Sequence, residues 1–106
     1  MDKTMTFVTV AKKNDIKSGQ VKTFQVGDHR IVLADWEGTY FATQDLCSHD
    51  GGPLGDGELI EFEIECPRHG GRFDIRTGQV TALPPLMPIK TFPVRVQGDD
   101  IQVALS

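Results

Sequence analysis

A chain of 106 residues carrying 11 basic and 15 acidic side chains, formally −4, has room for one domain with a small core. With no basic excess, nucleic acid is not an expected partner. No apolar run approaches the roughly 18–20 residues that span a bilayer, and Met1-Asp2-Lys3-Thr4-Met5-Thr6 lacks the apolar centre of a secretion signal, so a cytoplasmic protein with no membrane partner is expected.

No segment holds a helical period. Short β-rich runs separated by Gly and Asp turns predict an all-β fold. The first predicted strand is Phe7–Val10, followed by a loop over residues 14–19 with room for one helical turn. Val21–Val26 and Arg30–Asp35 are joined by a Gly27-Asp28 turn, and Glu37-Gly38 leads into Tyr40–Thr43. Ile60–Glu65 reads as one strand, with Ile60, Phe62 and Ile64 inward and Glu61, Glu63 and Glu65 outward. It delivers Cys66 on the inward parity. Arg72–Asp74, Ile89–Val96 and Ile101–Leu105 complete the set, the last two joined by a turn at Gly98-Asp99-Asp100. Residues from about 44 to 88 hold most of the prolines and are expected to form a subdomain inserted into a base made by the two chain ends, all within a single domain, 1–106.

Both cysteines and two of the three histidines fall in one constellation: Cys47-Ser48-His49, sixteen residues, then Cys66-Pro67-Arg68-His69. Each half offers one thiolate and one imidazole. Thiolates suit iron–sulfur clusters and zinc, and imidazole suits iron, zinc and copper. Cys-x-His and Cys-x-x-His are too short to converge from a regular element, so each requires a tight loop. Gly51-Gly52-Pro53 and Gly70-Gly71 supply the backbone freedom. Two chemistries fit: a two-iron, two-sulfur cluster in which two His replace two Cys on one iron, or a tetrahedral structural zinc. Zinc sites usually pair like with like in sequence, so one Cys and one His in each half favours the cluster.

At these residues the sequence resembles the Rieske-type [2Fe–2S] ferredoxins of bacterial aromatic-ring-hydroxylating dioxygenase systems. The resemblance extends to Gly38-Thr39-Tyr40-Phe41-Ala42-Thr43 before the first ligand loop. It continues through Gly70-Gly71-Arg72-Phe73-Asp74 and Thr77-Gly78 after the second, and through Pro84-Pro85 and residues 88–94. It implies a Rieske fold: a small antiparallel β-sandwich base with an inserted cluster-binding subdomain. It also implies one [2Fe–2S] cluster per chain, with Cys47 and Cys66 on one iron and His49 and His69 on the other, the histidines lying at the surface. The implied role is a soluble one-electron carrier with no catalytic residues of its own. It would pass electrons from an NAD(P)H-dependent flavoprotein ferredoxin reductase to a terminal Rieske non-haem iron oxygenase, and it is expected to be a monomer. The alternatives are the small subunit of an assimilatory nitrite reductase, many of which lack the ligands, and a zinc-stabilised interaction module.

In Rieske proteins of respiratory complexes a serine and a tyrosine donate hydrogen bonds to cluster sulfurs. The corresponding positions here are Gly71 and Phe73, which carry no hydroxyl, so a low reduction potential is expected. Other residues have plainer readings. His29 is expected to be a solvated turn residue and Trp36 a packing residue. Glu61, Glu63 and Glu65 are read as a strand's exposed face. Arg68 and Arg72 are either solvated, or dock an acidic partner patch, or tune the cluster potential by nearby positive charge, and Pro84-Pro85 and Pro88 are expected to stiffen a loop over the cluster.

Overall fold

The run Ile31-Val32-Leu33-Ala34 organises the molecule, because both of its faces are buried. A strand covered on both sides reads as a continuous apolar run rather than an alternating one. In the computed structural model, which describes residues 6–46, 53–67, 70–83, 85 and 87–105, this run is the centre of the third strand. The strands among the described residues are β1 (Phe7–Lys12), β2 (Val21–Val26), β3 (His29–Trp36), β4 (Thr39–Gln44), β5 (Glu58–Ile60), β6 (Glu63–Glu65), β7 (Arg72–Asp74), β8 (Val80–Ala82), β9 (Thr91–Phe92), β10 (Val94–Gln97) and β11 (Asp100–Ala104). A single 3-10 turn, Lys13–Asp15, follows β1, and no α-helix occurs among the described residues.

The strands form three antiparallel sheets, ordered β1-β11-β10, β2-β3-β4-β9 and β5-β6-β7-β8. The first two sheets are assembled from the two ends of the chain, and the third, built from residues 58–82, lies between β4 and β9 in sequence. Two apolar clusters join them. Ile31 and Leu33 on one face of β3 pack with Ala11, Phe92, Ile101 and Val103, closing the first sheet on the second. Val32 and Ala34 on the other face pack with Leu54, Ile64, Cys66 and Phe73, closing the third sheet on the second.

The turns follow the glycines. Gly27-Asp28, Glu37-Gly38 and Gly98-Asp99 join paired strands as two-residue hairpins, each with a positive-φ residue first, as the right-handed strand twist demands.

Two expected strands need correction, and one further strand is present. Ile60–Glu65 is not one strand. It breaks at Glu61-Phe62 into the β5–β6 hairpin, with Ile60 paired to Glu63 and Ile60 38% exposed instead of inward. Ile64 is fully buried, and the parity that delivers Cys66 inward holds. Ile89–Val96 is also divided. Pro93 has no N–H for a ladder, and there the chain leaves the second sheet as β9 and joins the first as β10. Finally β8, a three-residue strand paired to β7, lies where the sequence carries only Val-Thr-Ala.

Candidate metal centre

Of the four proposed ligands, Cys66 is described. Cys47, His49 and His69, with Arg68, Gly51 and Gly52, lie outside the described residues. Accordingly, no group of three or more His, Cys, Asp or Glu side chains converges among the described residues.

Cys66 is a buried, free thiol placed directly after β6. Its backbone closes the second loop on itself. The Cys66 N–H donates to the Gly71 carbonyl at 2.6 Å, and the Gly70 N–H donates back to the Cys66 carbonyl at 3.0 Å. Gly70 turns with φ +75°, a left-handed conformation costly to residues with a Cβ. The loop entrance and exit are therefore fixed to each other, and Cys66 is buried in the apolar cluster that includes Leu54, Ile64 and Phe73.

The first loop is anchored on either side of its undescribed part. Asp45, one residue beyond β4, has a fully buried side chain. Its Oδ1 accepts from the Leu54 N–H at 2.8 Å and the Gly55 N–H at 2.7 Å, and its Oδ2 accepts from Arg30 Nη2 at 2.9 Å and Nε at 3.2 Å. Gly57 then lies so close to the strand before Cys66 that an added Cβ would sit 1.9 Å from the Glu65 carbonyl oxygen. The exit of the first loop thus packs against the approach to the second. Asp45 and Arg30 escaped the sequence reading. Their pairing spans 15 residues, and an Asp after a strand reads as an ordinary turn residue.

The remaining candidates are resolved by their neighbours. Trp36 is a packing residue, its ring edge-on to Phe62 at 6.1 Å between centroids. Phe62 also contacts Phe41 at 6.0 Å and lies under the Arg76 guanidinium at 4.2 Å, so the β5–β6 turn is fastened to the second sheet. His29 is exposed, begins β3 rather than lying in the turn, and packs its ring in a T-shaped contact with Phe92 at 6.2 Å between centroids. Arg72 is partly exposed and bridges Glu65 at 3.2 Å and Glu63 at 3.5 Å. Pro85 is fully buried, Pro88 is exposed, and Pro84 lies outside the described residues.

The donor set fits a [2Fe–2S] group. Two thiolates and two imidazoles are the ligands of a Rieske centre, and Cys66, the one described candidate, is a buried free thiol whose backbone is bonded to Gly70 and Gly71.

Comparison with known proteins gives the same result. Residues 6–93 match the model of the Rieske [2Fe–2S] domain, and the chain belongs to that family. It is 37% identical over 101 residues to the ferredoxin component of biphenyl 2,3-dioxygenase from Rhodococcus jostii (strain RHA1), covering 95% of this chain and 94% of that one. The ferredoxin of carbazole 1,9a-dioxygenase from Nocardioides aromaticivorans IC177 superposes with a TM-score of 0.90 at 39% identity, covering 93% of this chain and 97% of that one. A ferredoxin in complex with the reduced oxygenase of carbazole 1,9a-dioxygenase superposes with a TM-score of 0.87 at 30% identity, covering 92% of each. The fold is that of a Rieske ferredoxin, and the cofactor of the family is a [2Fe–2S] cluster.

Proposed function

We propose that this chain is the one-electron carrier of an aromatic-ring dioxygenase system, and not itself an enzyme. It receives electrons from an NAD(P)H-dependent flavoprotein ferredoxin reductase and delivers them singly to a terminal Rieske non-haem iron oxygenase. In this reading Cys47 and Cys66 hold one iron, and His49 and His69 hold the other. The observation that carries it is the complete two-Cys, two-His set in a chain that matches ferredoxin components over nearly its whole length.

When bound, the cluster supplies reversible storage of one electron. The chain's residues do the rest. Gly70 and Gly71 hold the Cys66 backbone, apolar residues surround its side chain, and Gly57 packs against the strand that leads into Cys66. Residues from about 44 to 88 act as the cluster-binding subdomain of a single 1–106 domain, and the protein works as a cytoplasmic monomer. The two-Cys, two-His set favours this reading over the small subunit of a nitrite reductase, many of which lack those residues.

The test is electron passage. Mixed with a flavoprotein reductase, NADH and the oxygenase of a biphenyl- or naphthalene-type system, the holoprotein should be reduced and reoxidised in stopped-flow traces. A holoprotein reduced by dithionite but never reoxidised by such an oxygenase would contradict the carrier role.

A further inference from the structure

The carboxylate of Asp45 makes contacts that strand pairing does not require. Its backbone already serves the sheet, since the Asp45 N–H donates to the Arg30 carbonyl at 3.0 Å. All four side-chain bonds go elsewhere. Two reach forward, to backbone N–H groups nine and ten residues on, and two reach sideways to the Arg30 guanidinium. Cys47 and His49 lie in the segment so closed. Pinning both ends of such a segment removes most of its chain freedom, and hydrogen bonds to a charged acceptor are the strong kind.

The surroundings are shaped to the contact. Leu54, whose N–H is one donor, is fully buried among the residues around Cys66. Gly55, the other donor, approaches so closely that an added Cβ would sit 1.8 Å from Thr23 Oγ1 and 3.3 Å from Asp45 Oδ1. The Asp45 side chain is 0% exposed while that of Arg30 is 60% exposed. The arginine therefore covers the carboxylate from the solvent side and holds it against the loop.

We propose that Asp45, backed by Arg30, is a positioning residue for the cluster: its carboxylate ties the end of β4 to Leu54 and Gly55, and so sets the span of the segment that carries Cys47 and His49. This rests on the ligand assignment above. The clamp fixes the two described ends, Asp45 and Leu54, of the stretch in which Cys47 and His49 lie in sequence. Loosening it should be felt as looser cluster retention and altered ligand geometry, with the sheets intact.

The test compares holoprotein of the wild type with Asp45→Asn, Arg30→Gln and a control, Val103→Ala, which weakens the other core. Iron release to excess chelator, EPR g-values of the dithionite-reduced protein and far-UV circular dichroism are measured for each. Asp45→Asn should release iron about tenfold faster or more, the effect of losing a charge-assisted hydrogen bond. It should also shift the g-values while keeping the β-sheet signal. Arg30→Gln should do both to a smaller degree, and Val103→Ala should leave the g-values unchanged. If Asp45→Asn does not fold, Arg30→Gln decides, because its side chain is mostly in solvent. Wild-type release rates and g-values in every folded clamp variant would overturn the proposal and leave the cluster assignment standing. A wild-type protein without a 2Fe–2S spectrum would overturn both.

Discussion

Phe73 lies fully buried in the same apolar cluster as Cys66 and carries no hydroxyl for a sulfur. Gly71, whose carbonyl accepts the Cys66 N–H, has no side chain to donate either. Each missing donor leaves added negative charge less stabilised, so voltammetry is expected to give a potential at the low end of the Rieske range, about −150 mV. Phe73→Tyr should raise it wherever the new hydroxyl reaches sulfur. At about 59 mV per tenfold change for a one-electron couple, even a partial gain is resolved by voltammetry. An unchanged potential in a folded Phe73→Tyr protein would show that the ring edge does not face a ligand sulfur. A second residue-scale effect sits at Asp74, whose carboxyl is held below its ordinary 3.8. The cause is first the hydrogen bond from the Arg76 guanidinium, while burial pulls the other way. A depressed carboxyl stabilises the fold above its unfolded value, and that contribution is lost as pH falls through the still lower folded value. Arg76→Ala should therefore lower the urea midpoint between about pH 5 and 7, with the deficit shrinking towards about pH 3. A deficit that stays constant across that range would assign the effect to Arg76 stacking on Phe62 instead.

At the scale of elements, the β5–β6 hairpin shows what sequence pattern can and cannot specify. Ile60, Phe62 and Ile64 alternate with glutamates as one strand would, and no Gly, Asn or Asp marks a turn. Nevertheless the chain reverses at Glu61, which takes φ +56°, because Phe62 is captured by Trp36, Phe41 and Arg76. Tertiary packing of one aromatic ring overrides the local pattern. A non-glycine residue at that φ is strained, so Glu61→Gly should stabilise the protein by about 0.5 kcal/mol or more. Chemical denaturation measures this, and a destabilised variant would mean that the Glu61 side chain makes compensating contacts. Where the turns carry their own signal, as at Gly27, Glu37-Gly38 and Gly98, the hairpins are legible from sequence. β8 is not, since a three-residue strand has no room for a period. The division of residues 89–96 turns on Pro93, a proline within an otherwise strand-like run and therefore a legible warning.

For the whole molecule, the doubly buried β3 is the shared layer. One face completes the sandwich made by the chain ends, and the other carries the sheet, β5–β8, that presents Cys66. Among the described residues no helix is long and apolar enough to cross a membrane. The candidate ligand set stands out in the sequence because thiolate and imidazole chemistry restricts which residues can serve, and because the spacing is local. The residues that hold the loops do not, since Asp45 meets Arg30, Leu54 and Gly55 only after the chain has folded. Electron carriage by a two-iron, two-sulfur cluster is tested most directly by anaerobic reductive titration of the purified protein, with iron and labile sulfide determined on the same sample. Two irons, two sulfides and the uptake of a single electron per chain are expected. Stoichiometric zinc without iron, or no electron uptake by protein made under iron-replete conditions, would contradict it.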